Sequence, residues 1–130
     1  MKFTLEIIQF INLFEQVTSA KVKDCFVDGC VTFVVEEGNV QKAVRGLERV
    51  KRMIKRDVKI IGFSTDPVKF IKNLLYPVKV KGVKKEGDTV IVYCPDVQTK
   101  GKVFGRERKN LKYMLGLMKK YFGVEEIKVE

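Results

Sequence analysis

The order of secondary-structure signals runs twice along this chain, and that repetition restricts the fold more than any other feature. In the first half, Ile7, Phe10, Ile11, Phe14 and Val17 fall at the spacing of one helix face, which predicts a helix over Leu5–Val17. Val22–Val27 and Cys30–Val35 are rich in β-formers, and Asp28-Gly29 between them is a two-residue hairpin signal. Asn39 stands at a helix-cap position before a helical stretch, Val40–Ile54, which Gly46 breaks into two pieces. Val58–Phe63 reads as a third strand.

The second half repeats this order. Asp66 reads as a helix cap and Pro67 fits the first turn of the helix over Val68–Leu75, which Pro77 stops. Val78–Val83 and Thr89–Tyr93 read as strands joined by an exposed turn over Lys84–Asp88. Pro95–Val103 reads as a loop or short helix. Lys109–Phe122 is amphipathic, with Leu111, Leu115, Met118 and Phe122 in line and Gly123 as its C-cap. Val124–Val129 reads as the last strand. No Ser/Gly-rich linker separates the halves. The boundary near Ser64 therefore predicts two packed modules, 1–63 and 64–130, each running αββααβ, in an α+β fold.

Composition bounds what such modules can do. The chain has 130 residues, 45% of them hydrophobic, enough for one domain or two very small ones. Glu6, Gln9, Asn12 and Glu15 interrupt the N-terminal apolar run, so it is neither a signal peptide nor a membrane span. A cytoplasmic protein with no membrane partner is expected. The three cysteines form no CxxC and there is no histidine, which leaves no zinc set and predicts reduced thiols, with Cys30 and Cys94 in the core. No metal or other cofactor is expected.

Lys and Arg number 26 against 16 Asp and Glu, a net charge of +10, and the excess is localised. Over Lys42–Lys59 eight bases stand against Glu48 and Asp57; over Lys100–Lys120 eight stand against Glu107 alone. These are corresponding places in the two halves. Lysine-rich solvated helix faces are the plain alternative, but the coincidence favours an anionic polymer as partner. Catalysis has little support. No Ser or Cys carries a nucleophile motif, and Glu36-Glu37 and Glu125-Glu126 are adjacent pairs whose side chains diverge in extended backbone. No enzymatic activity is expected.

The basic stretches fall at the junction between the two helices of each half. A glycine pair there, GxxG, lets the backbone of single-stranded RNA or DNA approach closely, and this is how the KH domain is built. Gly105-Arg106-Glu107-Arg108 occupies that position in the second half, with Arg108 where the second glycine would stand. Arg45-Gly46-Leu47-Glu48 occupies it in the first, keeping one glycine.

Further segments carry a family resemblance: Leu13–Thr18, Val22–Cys25, Phe33–Gly38, Lys119–Ile127 and, most specifically, the junction run Phe63-Ser64-Thr65-Asp66-Pro67-Val68-Lys69-Phe70-Ile71-Lys72-Asn73 continuing to Pro77 and Val80. Over almost its whole length the sequence resembles the archaeal NusA-like transcription factors. The resemblance implies two tandem type II KH domains packed side by side, and RNA binding in transcription elongation or termination.

The expected partner is single-stranded RNA. In the second module Gly105 gives close approach, Arg106, Arg108, Lys109 and Lys112 neutralise phosphates, and Asn110 hydrogen-bonds backbone or base. In the first, Lys42, Arg45, Gly46 and Arg49 play a weaker version of these roles. The rival reading is a degenerate KH scaffold that binds a protein, RNA polymerase or a ribosomal component. A monomer is expected.

Overall fold

The structure, a computed structural model, describes residues 4–130; the first three residues of the expected first module lie outside the described residues. The chain divides into two compact units, Met1–Ser64 and Thr65–Glu130.

In the first unit, helix α1 spans Leu5–Thr18. The Thr4 hydroxyl caps it by accepting the Ile7 N–H at 3.2 Å, and Ser19 ends it in the left-handed conformation. Strands β1 (Val22–Asp28) and β2 (Cys30–Val35) form the hairpin, paired down to Asp28–Cys30, so that Gly29 alone, at φ 75°, makes the apex. Helices α2 (Val40–Arg45) and α3 (Leu47–Ile54) meet at Gly46 and lead to strand β3 (Val58–Gly62). β3 pairs with β2 in parallel, giving the order β1-β2-β3. A parallel neighbour cannot be reached by a tight turn. The α2–α3 pair is the crossover that makes it possible.

The second unit repeats the plan. Helix α4 (Pro67–Leu75) is capped by Asp66, which accepts the Val68 N–H at 3.0 Å. Strands β4 (Gly82–Glu86) and β5 (Thr89–Tyr93) are antiparallel. Helices α5 (Val97–Phe104) and α6 (Lys109–Phe122) cross to strand β6 (Glu126–Val129), parallel to β5, giving the order β4-β5-β6.

Each unit has a buried interior of its own. Phe14, from the face expected of α1, is fully buried and stacks on Phe33 of β2 with ring centroids 4.1 Å apart. Ala20, Cys25, Val31, Val35, Ala43, Val50 and Val58 complete the cluster, and Ile7, Phe10, Ile11 and Val17 pack against it. The second unit buries Phe70, Ile71, Val90, Val92, Val103, Leu117 and Met118.

Four local expectations change. The strand expected over Val78–Val83 starts only at Gly82, so 78–81 are not strand. It runs on through Lys84–Glu86, which are strand, not turn: they pair with Ile91, Val90 and Thr89, and only Gly87-Asp88 turns. β4 is an edge strand whose exposed side chains are charged, with Lys84 and Glu86 ion-paired at 2.8 Å on one face, which hides the strand in the composition. Asn39 makes no side-chain cap; its Oδ1 accepts the Lys21 N–H at 3.0 Å and so fastens the start of β1 to the start of α2. The cysteine of the core is Cys25, whereas Cys30 and Cys94 are half-buried; all three are free thiols. The buried face of α6 centres on Met114, Leu117 and Met118, one step round from the line expected.

Candidate nucleic-acid interface

Because both crossovers are built alike, each puts its helix–helix junction at the equivalent point of its unit. The candidate RNA-binding residues named from the sequence lie at or beside these two junctions.

At the first junction Gly46 has ordinary dihedrals, φ −95° and ψ 1°, so its role is not conformational. Space is what requires it. A Cβ on Gly46 would lie 2.7 Å from Cγ2 of Thr18, at the end of α1. Thr18 cannot swing aside cheaply. Its hydroxyl donates to the Phe14 carbonyl at 2.7 Å and accepts the Ala20 N–H at 3.1 Å, which fixes its rotamer. Beside this contact opens a cleft of about 290 Å³ lined by Val17, Thr18, Lys42, Arg45, Gly46 and Arg49. The four expected residues of the first unit thus come together, three of them cations, with no carboxylate in the lining. Val17 and Thr18 were not expected there. Only α1's return to the junction brings them in, and no local spacing encodes that.

The second junction is built differently. Gly105 has φ 72° and ψ 174°, a region open essentially to glycine alone. A Cβ there would meet Asn110 Cβ at 2.7 Å and its backbone N at 3.0 Å. One 3₁₀ turn, Arg106–Arg108, follows, and Glu107 (φ 56°, ψ 29°) and Arg108 (φ 59°, ψ 21°) are both left-handed. Each such residue with a side chain costs roughly 1–2 kcal/mol relative to a right-handed one. Arg108 therefore occupies a backbone position that a glycine would fill without strain.

The six expected residues of this unit share the loop and the first turn of α6, where Arg108 and Asn110 turn back onto the end of α5. The Arg108 guanidinium lies 5.4 Å from the Phe104 ring centroid, and Asn110 Nδ2 donates to the Lys102 carbonyl at 3.4 Å. Arg106, Lys109 and Lys112 are exposed. No side chain caps α6 at Arg108.

Titratable groups elsewhere have structural explanations. Burial pushes the Cys25 thiol up to about 12, with the neighbouring Asp24 carboxylate adding to the effect, so it stays protonated at neutral pH. The Thr99 backbone N–H, donating to Asp96 at 2.7 Å, holds that exposed carboxyl below its usual value. Among the described residues no group of three or more His, Cys, Asp or Glu could hold a metal ion, and no helix is long and apolar enough to cross a membrane.

No protein-family model matches the chain. Individual relatives do. A probable transcription termination protein NusA of Methanocaldococcus jannaschii is 33% identical over 137 residues, covering 99% of this chain and 75% of the relative. A protein of the same name from Methanococcus vannielii is 32% identical over 137 residues, covering 99% of this chain and 79% of its own length. Among solved structures, the crystal structure of APE1850 superposes with a TM-score of 0.69 at 25% identity, covering 98% of this chain and all of that one. With relatives this similar matched over three quarters or more of their length, the chain belongs to the family of archaeal NusA-like transcription termination proteins.

Proposed function

We propose that the chain is a non-catalytic, cytoplasmic transcription factor that binds single-stranded RNA through two type II KH-like modules, 1–63 and 64–130, working as a monomer alongside RNA polymerase. The αββααβ order and the parallel crossover in each unit support the KH reading, and the relatives' name supports the setting. The cleft at the first junction carries the proposal: Lys42, Arg45 and Arg49 converge on one concavity without a carboxylate. Three cations so placed repel one another, and a phosphodiester backbone offsets that repulsion while releasing its own counterions. At the second junction Arg106, Arg108, Lys109 and Lys112 add charge, without the close backbone approach that a second glycine would allow.

Salt titration tests this. If about four phosphates are neutralised, log affinity for single-stranded RNA falls against log salt with a slope of about −3, at about 0.7 per phosphate. Neutralising three cations in Lys42→Gln/Arg45→Gln/Arg49→Gln makes the slope shallower by about 2. A slope near zero for the unmodified chain overturns the proposal. The second reading, a scaffold for a protein partner, is favoured by the internal engagement of Arg108 and Asn110. Weak RNA binding that neither Arg106→Ala/Arg108→Ala nor Lys42→Gln/Arg45→Gln/Arg49→Gln changes would decide for it.

A further inference from the structure

The positive surface of the first unit does not end at its cleft. Arg49 and Arg52, three residues apart, share one side of α3, with Arg45 at the end of α2 before it and Arg56 just past its C-terminus. Arg45 and Arg49 line the cleft at the start of α3. Arg52 and Arg56 line a separate shallow depression of about 470 Å³ at its other end, with Lys51, Lys55 and Asp57. At 1.5 Å per residue the eight residues of α3 span about 12 Å, so its two ends are further apart than one phosphate can bridge.

A helix C-terminus attracts cations, but its partial charge is only about half an electron, and four cations gather here. The end of α3 is already closed by Lys55, at φ 61°, whose N–H donates to the Lys51 carbonyl at 2.8 Å. Two of the cations have protein partners: Lys51 lies 3.8 Å from Glu48, and Arg56 lies 3.6 Å from Glu6 and 5.9 Å from the Phe10 ring centroid. Arg52 and Lys55 are exposed, and among the described residues neither is ion-paired.

We propose that this depression is a second backbone subsite, which takes phosphates further along the same single RNA strand that the cleft holds. Arg52 and Lys55 make the contacts, and Arg56, fixed by Glu6 and Phe10, shapes the floor. The inference rests on the reading that the cleft binds RNA. It adds a length requirement, because only a strand long enough to run along α3 reaches both places.

The test uses the full chain, the double variant Arg52→Gln/Lys55→Gln, and fluorescent oligouridylates of about four and about twelve nucleotides. The double variant is expected to bind the short oligonucleotide as the unmodified chain does. For the long one it loses affinity, and its salt slope becomes shallower by about 1.4, for two phosphates. If long-strand binding is unchanged in this variant but weakened in Lys42→Gln/Arg45→Gln/Arg49→Gln, the subsite is wrong and the cleft reading stands. If the triple variant binds the short strand normally, the cleft reading itself fails. Equal weakening for both lengths also overturns the subsite, as does weakening accompanied by a fall in Tm, since the cations would then serve the fold.

Discussion

Replacing Phe14 with alanine is expected to lower the unfolding free energy by about 3–5 kcal/mol, the range for deleting a buried aromatic side chain. Phe14 is fully buried, stacked on Phe33 at 4.1 Å, and its carbonyl accepts the Thr18 hydroxyl that fixes the wall of the cleft. The vacated space cannot collapse easily, because it lies between α1 and the central strand β2, which has neighbours on both edges. A folded unit of this size has on the order of 3–10 kcal/mol of stability, so the loss is comparable to all of it. Urea unfolding followed by circular dichroism reads the effect. RNA binding by the first unit should fall with it, although Phe14 is no part of the cleft lining. A loss below about 1 kcal/mol would show that α1 does not pack on the sheet as described.

Gly46→Ala is the second large effect, and its sign separates two explanations of that glycine. If Gly46 only broke a helix, alanine would stabilise the chain by up to about 1 kcal/mol, through better helix propensity and a less flexible unfolded state. The structure predicts the opposite. The new methyl would sit 2.7 Å from Thr18 Cγ2, and overpacking of this kind costs about 1–3 kcal/mol. The remaining Thr18 contacts, at 3.4 Å, are ordinary. Thr18→Ser removes the offending methyl and keeps the hydroxyl with both hydrogen bonds. By itself it costs about 0.8 kcal/mol for the lost buried methyl. In the double variant the two changes should offset, with a coupling of about 1–2 kcal/mol. An additive result would contradict the contact. RNA affinity then reports separately: if the double variant is stable but binds weakly, Gly46 serves the ligand as well as the packing.

These two positions show what the sequence makes legible. The periodicity of Ile7, Phe10, Ile11, Phe14 and Val17 places α1 and its buried face, since a helix repeats its contacts locally. The expected break at Gly46 is there, but the reason for it is not local: Thr18 lies 28 positions earlier, and only the return of α1 to the α2–α3 junction brings the two together. Asn39 looks like a cap because caps and long-range pins use the same side chain, and only the fold shows that it serves Lys21. Lys84–Glu86 look like a turn because an exposed edge strand has no apolar face to alternate. For the interface, charge clustering anticipates where the cations are, but not which of them meet. Lys42, Arg45 and Arg49 converge, whereas Arg108 turns to Phe104 and Asn110 to Lys102.

The account depends most on the first cleft, and amide shift mapping tests it directly. Titrating the labelled chain with short A-rich and U-rich single-stranded RNAs should move the amides of Lys42–Arg49, Gly46 among them, and of Thr18 across the cleft. The loop over Gly105–Asn110 should respond more weakly and lose its response first as salt is raised. Unmoved amides over Lys42–Arg49 at saturating RNA would contradict the account.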